Sequence, residues 1–81
     1  MYLNIGKEYI IKSKDIIGIF NIDYIKNRKE YKAMYKSLED DKKMINVTNG
    51  KEKTFILVEK NENKKGYITN IGVNTIAKRL I

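Results

Sequence analysis

The chain has no cysteine, no histidine, no proline and no tryptophan in its 81 residues. Without cysteine there are no disulfides, no thiolate chemistry and no zinc finger, and without histidine there is no imidazole acid-base catalysis. A domain of this size buries only about 60 to 65% of its unfolded surface, so small domains often add disulfides, a metal or association to a marginal core. Here association is the route left open. Long hydrophobic runs are also missing: no window approaches the ~20 apolar residues of a membrane span, and no cationic segment followed by an apolar run opens the chain. The reading is therefore a cytoplasmic protein, with no membrane partner. Negative charge is scarce as well, with 10 Asp and Glu against 17 Lys and Arg, a formal charge of +7 and a pI near 9.6. Such a surface favours polyanions, nucleic acid first and anionic lipid second. The competing reading is a composition rich in Lys, Ile and Asn in which lysine is the ordinary surface residue.

What is present is organised around Glu8 to Ile22. The β-branched apolar runs Tyr9-Ile10-Ile11 and Ile16 to Phe20 flank a polar break at Lys12, Ser13, Lys14 and Asp15, the pattern of two strands joined by a short loop. The second run is apolar on both parities, with Ile16, Gly18, Phe20 and Ile22 on one and Ile17 and Ile19 on the other. Two readings follow: a strand central to the sheet, with Gly18 marking a bulge or close contact, or a strand with one face turned to a helix or another subunit.

Ahead of that stretch, Tyr2-Leu3-Asn4-Ile5 reads as a short strand stopped by Gly6 and Lys7. After it, Asn27 and Glu30 have the spacing of a capping box, and Tyr31, Met34, Tyr35 and Leu38 recur at helical spacing, which predicts a helix ending near Lys42 or Lys43. Steps of 100° place Lys29, Lys32, Lys36 and Lys43 opposite that stripe, as a phosphate-facing ridge or a solvated face. Met44 to Thr48 is extended, Asn49-Gly50 is a strong hairpin signal, and the return strand Lys53 to Glu59 is apolar on both parities, as expected mid-sheet. The polar break Asn61 to Gly66 precedes a strand at Tyr67 to Ile71. A short helix then opens at Gly72 or Asn74, with Val73, Ile76, Ala77 and Leu80 inward and Lys78 and Arg79 outside. The chain has no internal repeat and no linker, so residues 1–81 are expected to form one α+β domain.

The opening Met1-Tyr2-Leu3-Asn4-Ile5-Gly6, the stretch Tyr9 to Phe20 and the close Thr75-Ile76-Ala77-Lys78-Arg79 resemble the RemA/RemB family of extracellular-matrix regulatory proteins, closer to the RemB branch. The order of parts also resembles it along the whole chain: hairpin, middle helix, strand, glycine turn with a basic group, strand, terminal helix. The resemblance implies a small LytTR-related type of domain with antiparallel strands and hairpins, one middle helix and a short C-terminal helix. It further implies assembly into a homo-oligomeric, octameric ring, and a DNA-binding transcription regulator linked to biofilm-matrix genes and of low sequence specificity. Carried over by position, its functional basic residues fall at Lys14 in the Ser13 to Asp15 loop and at Lys51 and Lys53 after Gly50. The chain departs from the RemA pattern in having Lys51-Glu52 where consecutive arginines stand, and Asp15 where a cation is favoured. Lysine lacks the bidentate fork of arginine, so contact with phosphate is expected rather than reading of bases.

Two function classes follow. In the first, loops bearing Lys12, Lys14, Lys51 and Lys53 repeat around the ring and bind DNA through successive phosphates. In the second, the ring is a protein-interaction scaffold without DNA, a reading supported by Glu52 and Asp15 inside the basic loops. RNA binding through stacked tyrosines is a third possibility, but Tyr31 and Tyr35 fit the inward helical stripe and Tyr9 and Tyr67 lie in strands. No enzyme is expected: nothing pairs Ser13, Ser37 or a lysine with a base, and there is no glycine-rich phosphate loop. Neither a cofactor nor a metal is called for.

Overall fold

Along the chain the elements are β1 (Tyr2–Gly6), β2 (Tyr9–Lys12), a single 3-10 turn (Ser13–Asp15), β3 (Ile16–Asn21), α1 (Ile22–Ile25), α2 (Lys29–Asp40), β4 (Met44–Asn46), β5 (Thr54–Lys60), β6 (Asn63–Thr69) and α3 (Val73–Arg79). They come from a computed structural model that describes residues 1–48 and 50–80. Strands β1 and β2 form a two-stranded sheet, and the others form a four-stranded sheet in the order β3-β5-β6-β4.

The sheet is built outward from β5, whose residues Thr54 to Val58 are all buried. Alternation along the strand sends Phe55 and Leu57 to one face and Ile56 and Val58 to the other. Phe55 and Leu57 join Ile22, Leu38 and Ile68 in a core under the helices, with Tyr31, Met34 and Tyr35 of α2 packed on it. Ile56 and Val58 join Leu3, Ile5, Ile11, Val47, Tyr67 and Ile76 in a second core under the β1–β2 sheet and α3. The result is three layers, helices on one side of the sheet and hairpin plus α3 on the other. This accounts for the double-sided apolar pattern of β5, as expected from sequence, and for the inward stripe of α2.

Several expectations are corrected. The runs on either side of Lys12 to Asp15 do not pair with each other: β2 pairs with β1, through a turn at which Lys7 and Glu8 take positive φ, while β3 pairs with β5. The polar break is a corner at which the chain passes from the covering sheet to the central one. Strand β3 is also an edge, not a central strand; Ile17 is 50% and Phe20 36% exposed. The irregularity anticipated near Gly18 is present, since the register shifts between Ile16 and Gly18, and the extra residue lets Ile16 and Ile19 both pack against the hairpin-side core. Gly18 leaves room for the Phe20 ring, which would lie 2.6 Å from an added Cβ and stacks on Phe55 at 6.1 Å.

The hairpin expected at Asn49-Gly50 does not form, although Asn49 itself lies outside the described residues. Strand β4 pairs in parallel with β6, because β5 is already flanked by β3 and by β6, which returns from it through a two-residue turn. That turn is Asn61-Glu62, both at positive φ (53° and 67°), the geometry that suits the twist of paired strands. It starts β6 at Asn63, ahead of the Tyr67 start expected from the polar break.

Asn27 is not the cap of α2. The chain first makes α1, where the Asn21 side chain accepts from the Asp23 backbone N–H at 2.9 Å, and α2 then begins after Arg28 with no side-chain cap. Helix α2 ends at Asp40, so Lys43 leaves the lysine ridge. Its N–H donates to Leu38 O at 2.7 Å and that of Lys42 to Glu39 O at 3.0 Å, with Lys42 at φ 59°, which is a Schellman ending. In α3, Ile76 is fully buried as expected, whereas Ala77 is exposed, because seven residues turn only one narrow stripe inward.

Candidate nucleic-acid interface

The two basic loops sit at opposite ends of β5. Ile16 pairs with Val58 and Asn21 with Thr54, so the segment before Ile16, carrying Lys12 and Lys14, lies beyond the Val58 end, and Lys51 and Lys53 lie beyond the Thr54 end. About 13 Å of strand separates the ends, at 3.3 Å per residue. One protomer therefore presents two basic patches rather than one.

Lys12 closes β2 and is half-buried, whereas Lys14 is exposed on the 3-10 turn. That turn is fastened to the start of the chain: the backbone N–H and the hydroxyl of Ser13 both donate to Met1 O, at 3.0 and 3.1 Å. Lys12 and Lys14 consequently flank a shallow hollow with Met1 and Tyr2.

At the other end, Lys53 has an exposed side chain on an anchored backbone. Its N–H donates to Thr69 O and its carbonyl accepts from the Ile22 N–H, both at 3.0 Å. Lys51 is exposed two residues ahead. Glu52, between them, turns back toward α2; its carboxylate accepts from the Asn46 amide at 3.3 Å and shares a hollow with Lys26, Tyr31, Lys32 and Tyr35. Burial, with lesser contributions from Tyr35 and Glu52, pushes the Tyr31 hydroxyl up to about 12, so it holds its proton well into alkaline pH.

Positive charge is little neutralised elsewhere. Among the described residues Lys26–Asp23, at 3.6 Å, is the ion pair within 4 Å. Lys29, Lys32 and Lys36 stand exposed along α2. Sequence reading did not anticipate that Lys43, Lys60 and Lys65 join Lys12 at the Val58 end; they come from three separate segments, and only the pairing of β4, β5 and β6 assembles them. Arg79, expected on the outside, has a structural partner as well: its guanidinium donates to Asn4 O at 2.9 Å, tying α3 to β1. Among the described residues, no group of three or more acidic side chains is placed to hold a metal, and no helix is long and apolar enough to cross a membrane.

The comparison with known families covers nearly the whole chain. A model of the RemA-like family, described as extracellular matrix regulatory protein A-like, matches residues 2–80. The chain belongs to the RemA-like family. The match spans β1 through α3 and does not separate the family's branches. No curated protein matches the chain significantly. As a RemA-like chain it carries the N-terminal motif as structure, with Leu3 and Ile5 buried, and the terminal motif likewise, through Ile76 and Arg79. The exposed lysines of its loops are thus not committed to holding the fold together.

Proposed function

We propose that this RemA-like chain is a cytoplasmic DNA-binding regulator of matrix genes that works as a homo-oligomeric ring, contacting phosphates through Lys12, Lys14, Lys51 and Lys53. The observation that carries the reading is the placement of these lysines at both ends of β5, on segments held at Ser13 and Lys53, in a chain of charge +7 with few ion pairs among the described residues. Anchored backbones hold the cations at set positions, and their weak single contacts gain strength by repetition.

Association is supported by the edge position of β3 and by exposed large apolar side chains: Met1, Tyr2, Ile10, Ile17 and Tyr24 are each at least half exposed. In the proposed ring a neighbouring subunit would cover these apolar groups. In a ring, the Thr54 end of one protomer and the Val58 end of the next can lie side by side, which would make one basic track from two separated patches. The second reading, a ring that recruits a protein partner without DNA, is favoured by Asp15 beside Lys14, which dilutes that loop.

The test is light scattering followed by DNA anisotropy on the same peak across a salt series. With one phosphate contact per subunit in a ring of about eight, the log–log salt slope should be about −7, from roughly −0.9 per contact. The double charge reversal Lys14→Glu/Lys51→Glu should abolish DNA binding and leave the ring size unchanged. Unaltered affinity would remove these loops from the interface, and a ring with no affinity at low salt would favour the scaffold reading.

A further inference from the structure

The Val58 end of β5 carries more than part of a basic track. The β5–β6 ribbon is exposed from Glu59 to Lys65, and alternation places Val58 and Lys60 of β5 and Asn63, Lys65 and Tyr67 of β6 on the same face of it. Lys12 comes across from β2 and Lys43 from the segment entering β4, whose carbonyl accepts from the Gly66 N–H at 3.0 Å. Together they wall an open cleft of about 430 Å³. Four lysines face Asp15 as the one acidic residue of the wall, a local excess of three positive charges. Glu59 and Lys64 pair across the strands on the opposite parity, so the carboxylate nearest to Lys60 in sequence belongs to the other face.

The floor is apolar. Val58 and Tyr67 are almost fully buried beneath it, at 7% and 9% exposure, and Ile10 stands at its wall 60% exposed. The cleft's volume lies in the range of small-molecule sites, about 300–1,000 Å³, and it combines an apolar floor with cations at the rim and amides at Asn61 and Asn63. Inorganic phosphate alone would leave the floor and Ile10 bare. A flat ring carrying phosphates satisfies both parts, with the ring over Val58, Tyr67 and Ile10 and the phosphates on Lys12, Lys43, Lys60 and Lys65.

We propose that this cleft is a binding site for a small nucleotide-like anion, a planar ring bearing two or more phosphates. The assignment goes beyond the DNA reading and does not rest on it. Because Lys12 serves both the cleft and the neighbouring loop, an occupied cleft would withdraw one cation from the track at that end.

The test is isothermal titration of the full chain with ATP, inorganic triphosphate and a single-stranded DNA 12-mer, for the natural protein, Lys60→Ala/Lys65→Ala, and the α2 control Lys29→Ala/Lys32→Ala. These lysines are exposed, so both variants keep the fold, which thermal melts check. ATP should bind more tightly than triphosphate. The cleft variant should weaken ATP by at least roughly tenfold, the effect of about 1.4 kcal/mol from lost charged contacts, while the control stays within about twofold. Equal affinity for triphosphate and ATP would overturn the role of the floor. Equal losses in cleft and control variants would show non-specific charge and overturn the site. Binding of the 12-mer without ATP, lost in the cleft variant, would assign the cleft to the DNA surface instead.

Discussion

The two faces of the central sheet are closed by different means. On the helix side the contacts are side chain to side chain: Phe55 meets Tyr31 edge-on at 5.3 Å, Tyr31 meets Tyr35 at 5.9 Å, and Leu38 comes down over Gly66. On the hairpin side the aliphatic core is crossed by hydroxyls bonded to distant backbone. Thr69 Oγ1 donates to Ile5 O and Thr54 Oγ1 to Ile71 O, both at 2.7 Å, and Arg79 reaches Asn4 O. The helix face is thus sensitive to volume and the hairpin face to hydrogen-bonding capacity. With the middle of both faces covered, the sheet's ends and its β3 and β4 edges are left for binding.

The largest expected effect is on the helix face. A Cβ added to Gly66 would lie 2.6 Å from Met44 Sδ, 2.7 Å from the Phe55 ring and 3.2 Å from Leu38. Met44 can shift, but Phe55 is fully buried and cannot retreat. Gly66→Ala should destabilise by about 3 kcal/mol, the upper part of the usual range for overpacking, and be read as a lowered urea midpoint at constant slope. A loss under about 1 kcal/mol would mean that α2 is not seated so closely.

On the hairpin face, Thr69→Val keeps the shape and removes the hydroxyl. Ile5 O then loses its donor and the Ile71 N–H, which Thr69 accepts at 3.1 Å, loses its acceptor. The side chain is fully buried, so about 2 kcal/mol should be lost. Val is a better strand residue than Thr in packing terms alone, so a neutral result would show that this face is held by packing too, and the contrast between the faces would fail. Arg79→Ala should cost less, about 1 kcal/mol, since its bond to Asn4 O is exposed to water. Its signature is local: amide exchange should rise in α3 and β1 and stay unchanged in α2.

The same contrast separates what was legible in the sequence from what was not. The α2 stripe, Tyr31, Met34, Tyr35 and Leu38, is a local pattern, and so is the apolar run of β5; each could be read because its spacing states which way side chains point. The turn signals were also real as breaks, yet they did not reveal partners. Lys12 to Asp15 marks a corner between sheets, and the run before Asn49-Gly50 pairs with β6 instead of β5, because strand partners are chosen by competition across the whole sheet. The hairpin-face bonds join residues 64 and 75 positions apart, and no window on the sequence contains them. The basic residues divide in the same way. Lys12, Lys14, Lys51 and Lys53 could be picked out as loop lysines, but their separation to opposite ends of β5, and the gathering of Lys43, Lys60 and Lys65 at one of them, depends on register.

Alkaline pH gives the smallest and most discriminating comparison, because it probes both faces through one functional group. Burial raises the Tyr31 hydroxyl on the helix face from 10.0 to about 12, and burial, with Tyr9 beside it, raises that of Tyr67 on the hairpin face. A phenol whose folded value is raised binds its proton more tightly in the folded chain. Its contribution is full below pH 10, where both states are protonated, and is lost as pH climbs through about 12, because the unfolded chain ionises first. Tyr31 is only half-buried, so water moderates the loss, and the effect should be smaller than either core substitution. Urea midpoints should therefore fall between pH 9 and pH 11, and Tyr31→Phe should flatten that fall more than Tyr67→Phe does. If Tyr67→Phe flattened it more, the phenol more strongly held in its neutral form would be the one on the hairpin face, and the division of labour between packing and hydrogen bonding would have to be redrawn.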